Sequence, residues 1–262
     1  QLLPQRRDHA LRPAELAEGL ILGIPIWVVA IVATTLIIGA AVQGLVGLGL
    51  GLVAAPIVTL LEPSLMPALL VVLGAVFPFL TLVREHHDVD WRGLAWMVPA
   101  RIPGTWLGVA LLSAFSSQAL GIAVALMVLA AVAVTWRAPK VSDGVPTLLL
   151  AGFISGTTST TSAIGGPPVA LVYQSRPAPQ VRSTLAVYFI LGSVITIVGL
   201  ALSGHVHSEQ VVLAAALAPT LVIGLLLARA LHRWFADDHV RSGVLIVCAA
   251  SAVVLLVKSL AV

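Results

Sequence analysis

Long apolar runs separated by short polar links dominate the chain. Residues 20–61 form an uncharged stretch, interrupted by Gln43-Gly44 and by Gly47, Gly49 and Gly51. Residues 65–83 follow after Glu62-Pro63, and a charged loop, 84–90, comes next. Residues 91–114 are apolar except for Arg92 and Arg101, and 120–136 are clean. A polar link, 137–144, divides the chain, and the apolar runs 145–173, 181–202, 211–231 and 244–257 complete it. An unbroken run of about 20 apolar residues is the length of a membrane-spanning helix. The pattern predicts an all-α polytopic membrane protein. Its expected organisation is an N-terminal extension (1–19), a first transmembrane repeat (20–136), a linker (137–144) and a second repeat (145–262).

One run does not read as an ordinary span. Residues 152–168 contain six consecutive hydroxyl residues, Thr157, Thr158, Ser159, Thr160, Thr161 and Ser162, followed by Gly165, Gly166, Pro167 and Pro168. Proline removes a backbone donor and glycine loosens the helix, so the backbone ladder is expected to break here. In lipid such a break survives only where protein buries it or water lines it. A half-helix N-terminus at a break attracts anions.

The two halves carry matching landmarks. Gly49 and Gly165 are 116 apart (165 − 49), as are Pro63 and Pro179, Pro103 and Pro219, and Gly108 and Gly224. Four pairs on one offset argue for an internal repeat. On this alignment the first glycine-rich stretch faces the Gly-Gly-Pro-Pro break, and paired interruptions of this kind mark the binding site of a transporter. Loops 84–92 and 229–241 carry Lys or Arg, whereas their repeat partners 203–210 and 113–118 carry none. Opposite charge at corresponding loops predicts inverted repeats, with each broken segment entering and leaving on one side.

Composition agrees with the pattern. Charged residues make up 10% of the chain and the mean hydropathy is +1.07, against about 25% charged in soluble domains. The net charge of +3 fits basic cytoplasmic loops, and no nucleic-acid partner is expected. The single cysteine, Cys248, sits in an apolar run and reads as packing. No phosphate-binding glycine-lysine loop is present, no acidic residue lies deep in an apolar run, and His86, His87, Asp88 and Asp90 read as a solvated loop. An enzyme, a metal site and a cofactor are therefore not expected.

Arg101 sits about ten residues into its run, between Pro99 and Pro103. A charge there costs about 2.5–3.5 kcal/mol on insertion scales and normally faces the bundle interior. It reads either as an anion-binding cation or as a partly buried residue paired with a carbonyl or Glu62. Arg182 could cap the cavity mouth or simply mark the cytoplasmic side. The hydroxyls of 157–162 could donate to substrate oxygens or serve helix packing. Gln43 could offer an amide N–H. Gly47, Gly49 and Gly51, with Gly165, Gly166 and Pro167, form the two breaks of the expected substrate site or else permit close helix contact.

At Gly44, Gly47, Gly49, Gly51 and Pro56, and again at Gly152 and Ile164-Gly165-Gly166-Pro167-Pro168, the chain resembles the sulfite exporter TauE/SafE family, also called the toluene sulfonate uptake permease family. The resemblance runs over roughly 26–260 and includes Arg182-Ser183-Thr184. It implies a multi-pass carrier of the bacterial inner membrane, with sulfite, thiosulfate or organosulfonates as substrate. Gly-Leu-Gly-Leu-Gly at 47–51 and Ala163-Ile164 depart from the usual family pattern and leave the substrate open. The expected partners are a small anion and the lipid bilayer, and homo-oligomerisation is left open. A non-transporting membrane subunit and a carrier of a non-sulfur organic anion are the alternatives.

Overall fold

The computed structural model describes residues 20–21, 23–46, 49–82, 88–137, 141–231 and 238–261. Gly47, the extension with Arg6, Arg7 and Arg12, and the loop histidines His86 and His87 lie outside the described residues. The first half holds α1 (Ile26–Val46), α2 (Leu50–Leu61), α3 (Ala68–Leu82), α4 (Trp91–Ala114) and α5 (Ser117–Arg137). The second holds α6 (Val145–Ser162), α7 (Gly166–Tyr173), α8 (Ala178–Leu202), α9 (Ser208–Leu231) and α10 (Asp238–Ala261). A two-residue β-pairing, Leu20–Ile21 with Ile24–Pro25, precedes α1. Among the described residues, α1, α5, α8, α9 and α10 are long and apolar enough to cross a membrane.

The five helices of each half correspond in order. Gly49 and Gly165, the paired landmarks, are the residues that precede α2 and α7. Pro103 lies inside α4 and Pro219 inside α9. The tertiary contacts repeat as well. A Cβ on Gly108 of α4 would lie 2.7 Å from Thr160 Cβ of α6, and one on Gly224 of α9 would lie 2.4 Å from the Ile37 carbonyl of α1. Helix α4 therefore packs on α6 as α9 packs on α1.

The break expected within 152–168 is present, and it falls after the hydroxyl run: the helix continues through Ser162. Thr157, Thr158, Thr160, Thr161 and Ser162 each return their hydroxyl proton to the carbonyl four residues back, at 2.8–3.1 Å. These bonds satisfy the side chains without breaking the ladder. The break falls at residues 163–165, where Ala163 takes the left-handed conformation (φ 59°). That conformation costs an L-residue about 1–2 kcal/mol.

At both breaks the chain turns back on itself. The Ser155 hydroxyl of α6 donates to the Gly165 carbonyl at 2.7 Å. A Cβ on Gly39 of α1 would lie 3.3 Å from Leu50 Cα of α2. Each pair is thus a long helix followed by a short returning one. The two pairs end at opposite ends of α4, which at 24 residues is about 36 Å long. After α2, the Ser64 carbonyl accepts from Gln210 Nε2 (2.6 Å) in the first turn of α9, and the Gln210 Oε1 accepts from His207 N. Nearby, His205 Nε2 lies 3.5 Å from Ser113 Oγ at the C-terminal end of α4. After α7, by contrast, Tyr173 donates to Asp90 Oδ2 (2.9 Å), and Asp90 caps the N-terminus of α4 through Gly93 N (3.0 Å). Arg92 near the start of α4, Arg176 just after α7 and Arg182 near the start of α8 belong to this second end, where Asp90 N donates to Thr184 Oγ1 at 2.9 Å.

Packing is close where glycines line the helix faces. A Cβ on Gly104 would sit 2.1 Å from the Phe153 carbonyl, and one on Gly152 would sit 2.3 Å from the Met97 carbonyl. Small residues four apart let membrane helices approach to backbone contact. The α1 stripe Val28, Val32 and Leu36 meets the α9 stripe Leu213, Leu217 and Leu221 in the larger core, while Ile31, Ile38, Val222 and Ile223 point outward. Helices that are apolar all round suit a lipid surround.

Gly104→Leu is expected to separate α4 from α6, since the obstacle is backbone that cannot swing aside, costing at least about 1–3 kcal/mol. A melting curve of the purified protein in detergent should show a clear fall. Gly74→Ala, where no atom lies within 4 Å of the added methyl, should hold or raise the melting point, by up to about 1 kcal/mol.

Candidate functional site

Arg101 is the eleventh residue of α4, about 15 Å from its start. Its side chain is 1% exposed. Three hydroxyls hold the guanidinium. Nη1 donates to Ser155 Oγ (3.1 Å), and Nη2 donates to Ser159 Oγ (2.8 Å) and Thr196 Oγ1 (3.2 Å). Ser155 and Ser159 are four apart on α6, so they share one face. On α8, Tyr188, Gly192 and Thr196 form a similar stripe. The guanidinium carbon lies 5.1 Å from the Tyr188 ring centroid. Gly192 leaves room for it, because a Cβ there would sit 2.5 Å from Arg101 Cζ.

These contacts offset part of the burial cost. Hydrogen bonds to a charged group contribute about 1.5–3 kcal/mol each, and a desolvated cation–π contact about 2 kcal/mol. None of them neutralises the charge. Among the described residues, no carboxylate lies within ion-pair distance of Arg101; the ion pair present there joins Arg176 to Asp143 near the surface. Three buried side-chain polar atoms of the described residues make no hydrogen bond: Arg101 Nε, Thr105 Oγ1 and Tyr188 Oη. Thr105 lies one turn beyond Arg101 on α4, so all three belong to the same neighbourhood. Buried polar groups are normally satisfied, and a cluster of exceptions marks a place where water or an ion belongs.

Arg101 opens onto a cavity of about 90 Å³ between the two breaks. Pockets for drug-sized ligands start at about 300 Å³, so this space suits a few waters or one small polyatomic anion. Gln43, Gly49 and Gly51 line it from the first break, and Ala163, Gly165 and Gly166 from the second. The breaks touch: a Cβ on Gly51 would lie 2.6 Å from the Ala163 carbonyl. Glycine at 51 is therefore required for the backbones to meet. Leu52, Leu70, Val71 and Phe189 form an apolar part of the wall.

The structure brings together Gln43, Gly49, Gly51, Arg101, Ser159, Gly165, Gly166 and Pro167, all on this cavity. Gln43 and Ser159 are repeat partners (159 − 43 = 116). Gln43 Oε1 accepts from Leu50 N at 3.0 Å, which caps α2 and leaves the amide N–H groups for other partners. Pro167 and Pro168 offer no N–H, so the start of α7 presents fewer donors than its position alone suggests.

Of the six consecutive hydroxyls, Ser159 alone lines the cavity, and its Oγ accepts from Arg101. The other five hold helical carbonyls; Thr157 also bonds the Gly104 carbonyl and Thr161 the Met127 sulfur. Arg182 is exposed in the first turn of α8 and does not line the cavity. Sequence reasoning missed Ser155, Tyr188, Gly192, Ser193 and Thr196. The four-residue spacing of Ser155 and Ser159 was readable, but nothing in the α8 sequence ties it to Arg101.

No curated protein and no solved structure matches the chain. The family model for sulfite exporter TauE/SafE matches residues 31–255, which takes in both breaks, Arg101 and all of the cavity lining. The chain thus belongs to the sulfite exporter TauE/SafE family, a family of membrane transporters for sulfur compounds.

Proposed function

We propose that this protein is a permease that moves a small sulfur-containing anion, such as sulfite, thiosulfate or an organosulfonate, across a bacterial inner membrane by alternating access. The observation that carries this reading is the buried guanidinium of Arg101. It faces the cavity between two helix breaks and has no carboxylate partner among the described residues. An uncompensated cation at that depth is costly, and a bound anion is the simplest group to complete it. The Ser159 hydroxyl, polarised by Arg101, and backbone groups of the two breaks would replace part of the anion's hydration.

In this reading the halves are inverted repeats. The support is that one broken segment ends beside the C-terminus of α4 and the other beside its N-terminus. The basic end, with Arg92, Arg176 and Arg182, then faces the cytoplasm. Alternate exposure of the site follows if one repeat rocks against the other about the touching breaks. A negative-inside potential helps an anion outward by about 2.3 kcal/mol per charge per 100 mV, so export would need no coupling ion.

Arg101→Gln should lower sulfite efflux from proteoliposomes at least about hundredfold, since it deletes the cation that balances the buried anion. Equal rates for the variant and the parent would end this reading. Ser159→Ala should slow efflux by about tenfold, the worth of one hydrogen bond to a charged group, whereas Thr158→Ala, whose hydroxyl holds only helical carbonyls, should stay within about twofold. Sidedness has its own check: in intact cells Ser116→Cys should react with an impermeant maleimide, and Ser142→Cys should react only after the membrane is opened. The reverse pattern, or labelling of both from one side, would contradict the proposed topology.

A further inference from the structure

Resting on the transport reading above, we infer that the cavity takes singly charged sulfo anions bearing a short apolar substituent and discriminates against dianions such as sulfate and thiosulfate. The charge inventory comes first. Among the residues that line the cavity, Arg101 is the charged one; the other polar side chains are Gln43, Ser159 and Ser193. A monoanion beside Arg101 leaves the cavity neutral. A dianion leaves one negative charge against an apolar wall, with no second cation among the described lining residues to meet it. An unpaired charge at membrane depth corresponds to about a hundredfold in equilibrium.

The helix N-termini carry only partial charge, so they reduce this imbalance without removing it. Their partial charge resides on unsatisfied N–H groups. At α2 the Leu50 N–H is already given to Gln43 Oε1. At α7 the second and third residues are Pro167 and Pro168, which have none.

The arrangement of donors makes the same selection by shape. The guanidinium spends three N–H groups on Ser155, Ser159 and Thr196, and its Nε–H has no acceptor. Ser159 accepts from Arg101 and, among the described residues, gives its own proton to no protein group. These donors sit on α4 and α6. Leu52 of α2, Leu70 and Val71 of α3, and Phe189 of α8 line the cavity with hydrocarbon. A sulfate ion carries charged oxygen on every side and would press some of it against that hydrocarbon, away from Arg101 and Ser159. A sulfonate presents oxygens on one side and carbon on the other, and both sides are matched.

The test is efflux of methanesulfonate and of sulfate from proteoliposomes holding the full chain. The potential is clamped at zero so that unequal charge does not bias the driving force. Methanesulfonate is expected to leave at least about tenfold faster than sulfate. Ser193→Lys adds a second cation to the lining and should shift that ratio towards sulfate by at least about tenfold; should this variant not fold, the ratio for the parent chain decides alone. Equal rates, or faster sulfate, overturn the charge selection and leave the transport reading standing. Efflux of neither anion, nor of sulfite, overturns both.

Discussion

The burial of one guanidinium without a counter-charge among the described residues organises this molecule. Arg101 lies near the middle of α4, and insertion scales set its cost at about 2.5–3.5 kcal/mol. The surrounding chain is arranged to tolerate that cost rather than to remove it. Two serines on α6, a threonine and a tyrosine face on α8, and the missing side chain at Gly192 together build its seat. Had a carboxylate been present, the site would be an internal salt bridge with no appetite for an anion. Hydroxyls solvate the cation without neutralising it.

Seating that cation requires helices at backbone contact. Gly104, Gly152 and Gly156 bring α4 against α6, and a Cβ on Gly156 would sit 2.5 Å from the Arg101 carbonyl. Without that approach, Ser155 and Ser159 would fall short of the guanidinium. The glycines of this chain thus serve two purposes that sequence alone does not separate. Those of α4, α6 and α9 set helix distance; Gly51 permits the two breaks to touch, and Gly49 and Gly165 frame the cavity between them.

The repeat explains the geometry but not the chemistry. Corresponding helices pack in corresponding ways, and both breaks come to the cavity. The charge, however, belongs to one half only. The position 116 residues after Arg101 is Leu217 (101 + 116), which is buried in the apolar core, and the partner of Ser155 is Gly39 (155 − 116). The two halves each bring a break to one cavity, and Arg101 of the first half gives that cavity its sign.

The sequence by itself determined the membrane class and the family, because these depend on hydropathy and on glycine and proline at fixed spacing. It also singled out Arg101, since a charge inside an apolar run announces itself. It could not tell which hydroxyls face that charge. Six consecutive hydroxyls on a helix point all round it, and their own i−4 carbonyls compete for every one; α6 turns Ser159 to the cavity and the rest elsewhere. Nor could it place Ser155, Gly192 and Thr196 around a residue 54 to 95 positions away. Those contacts exist only once α4, α6 and α8 are packed, and side-chain direction across a helix interface is a property of the packing, not of the local sequence.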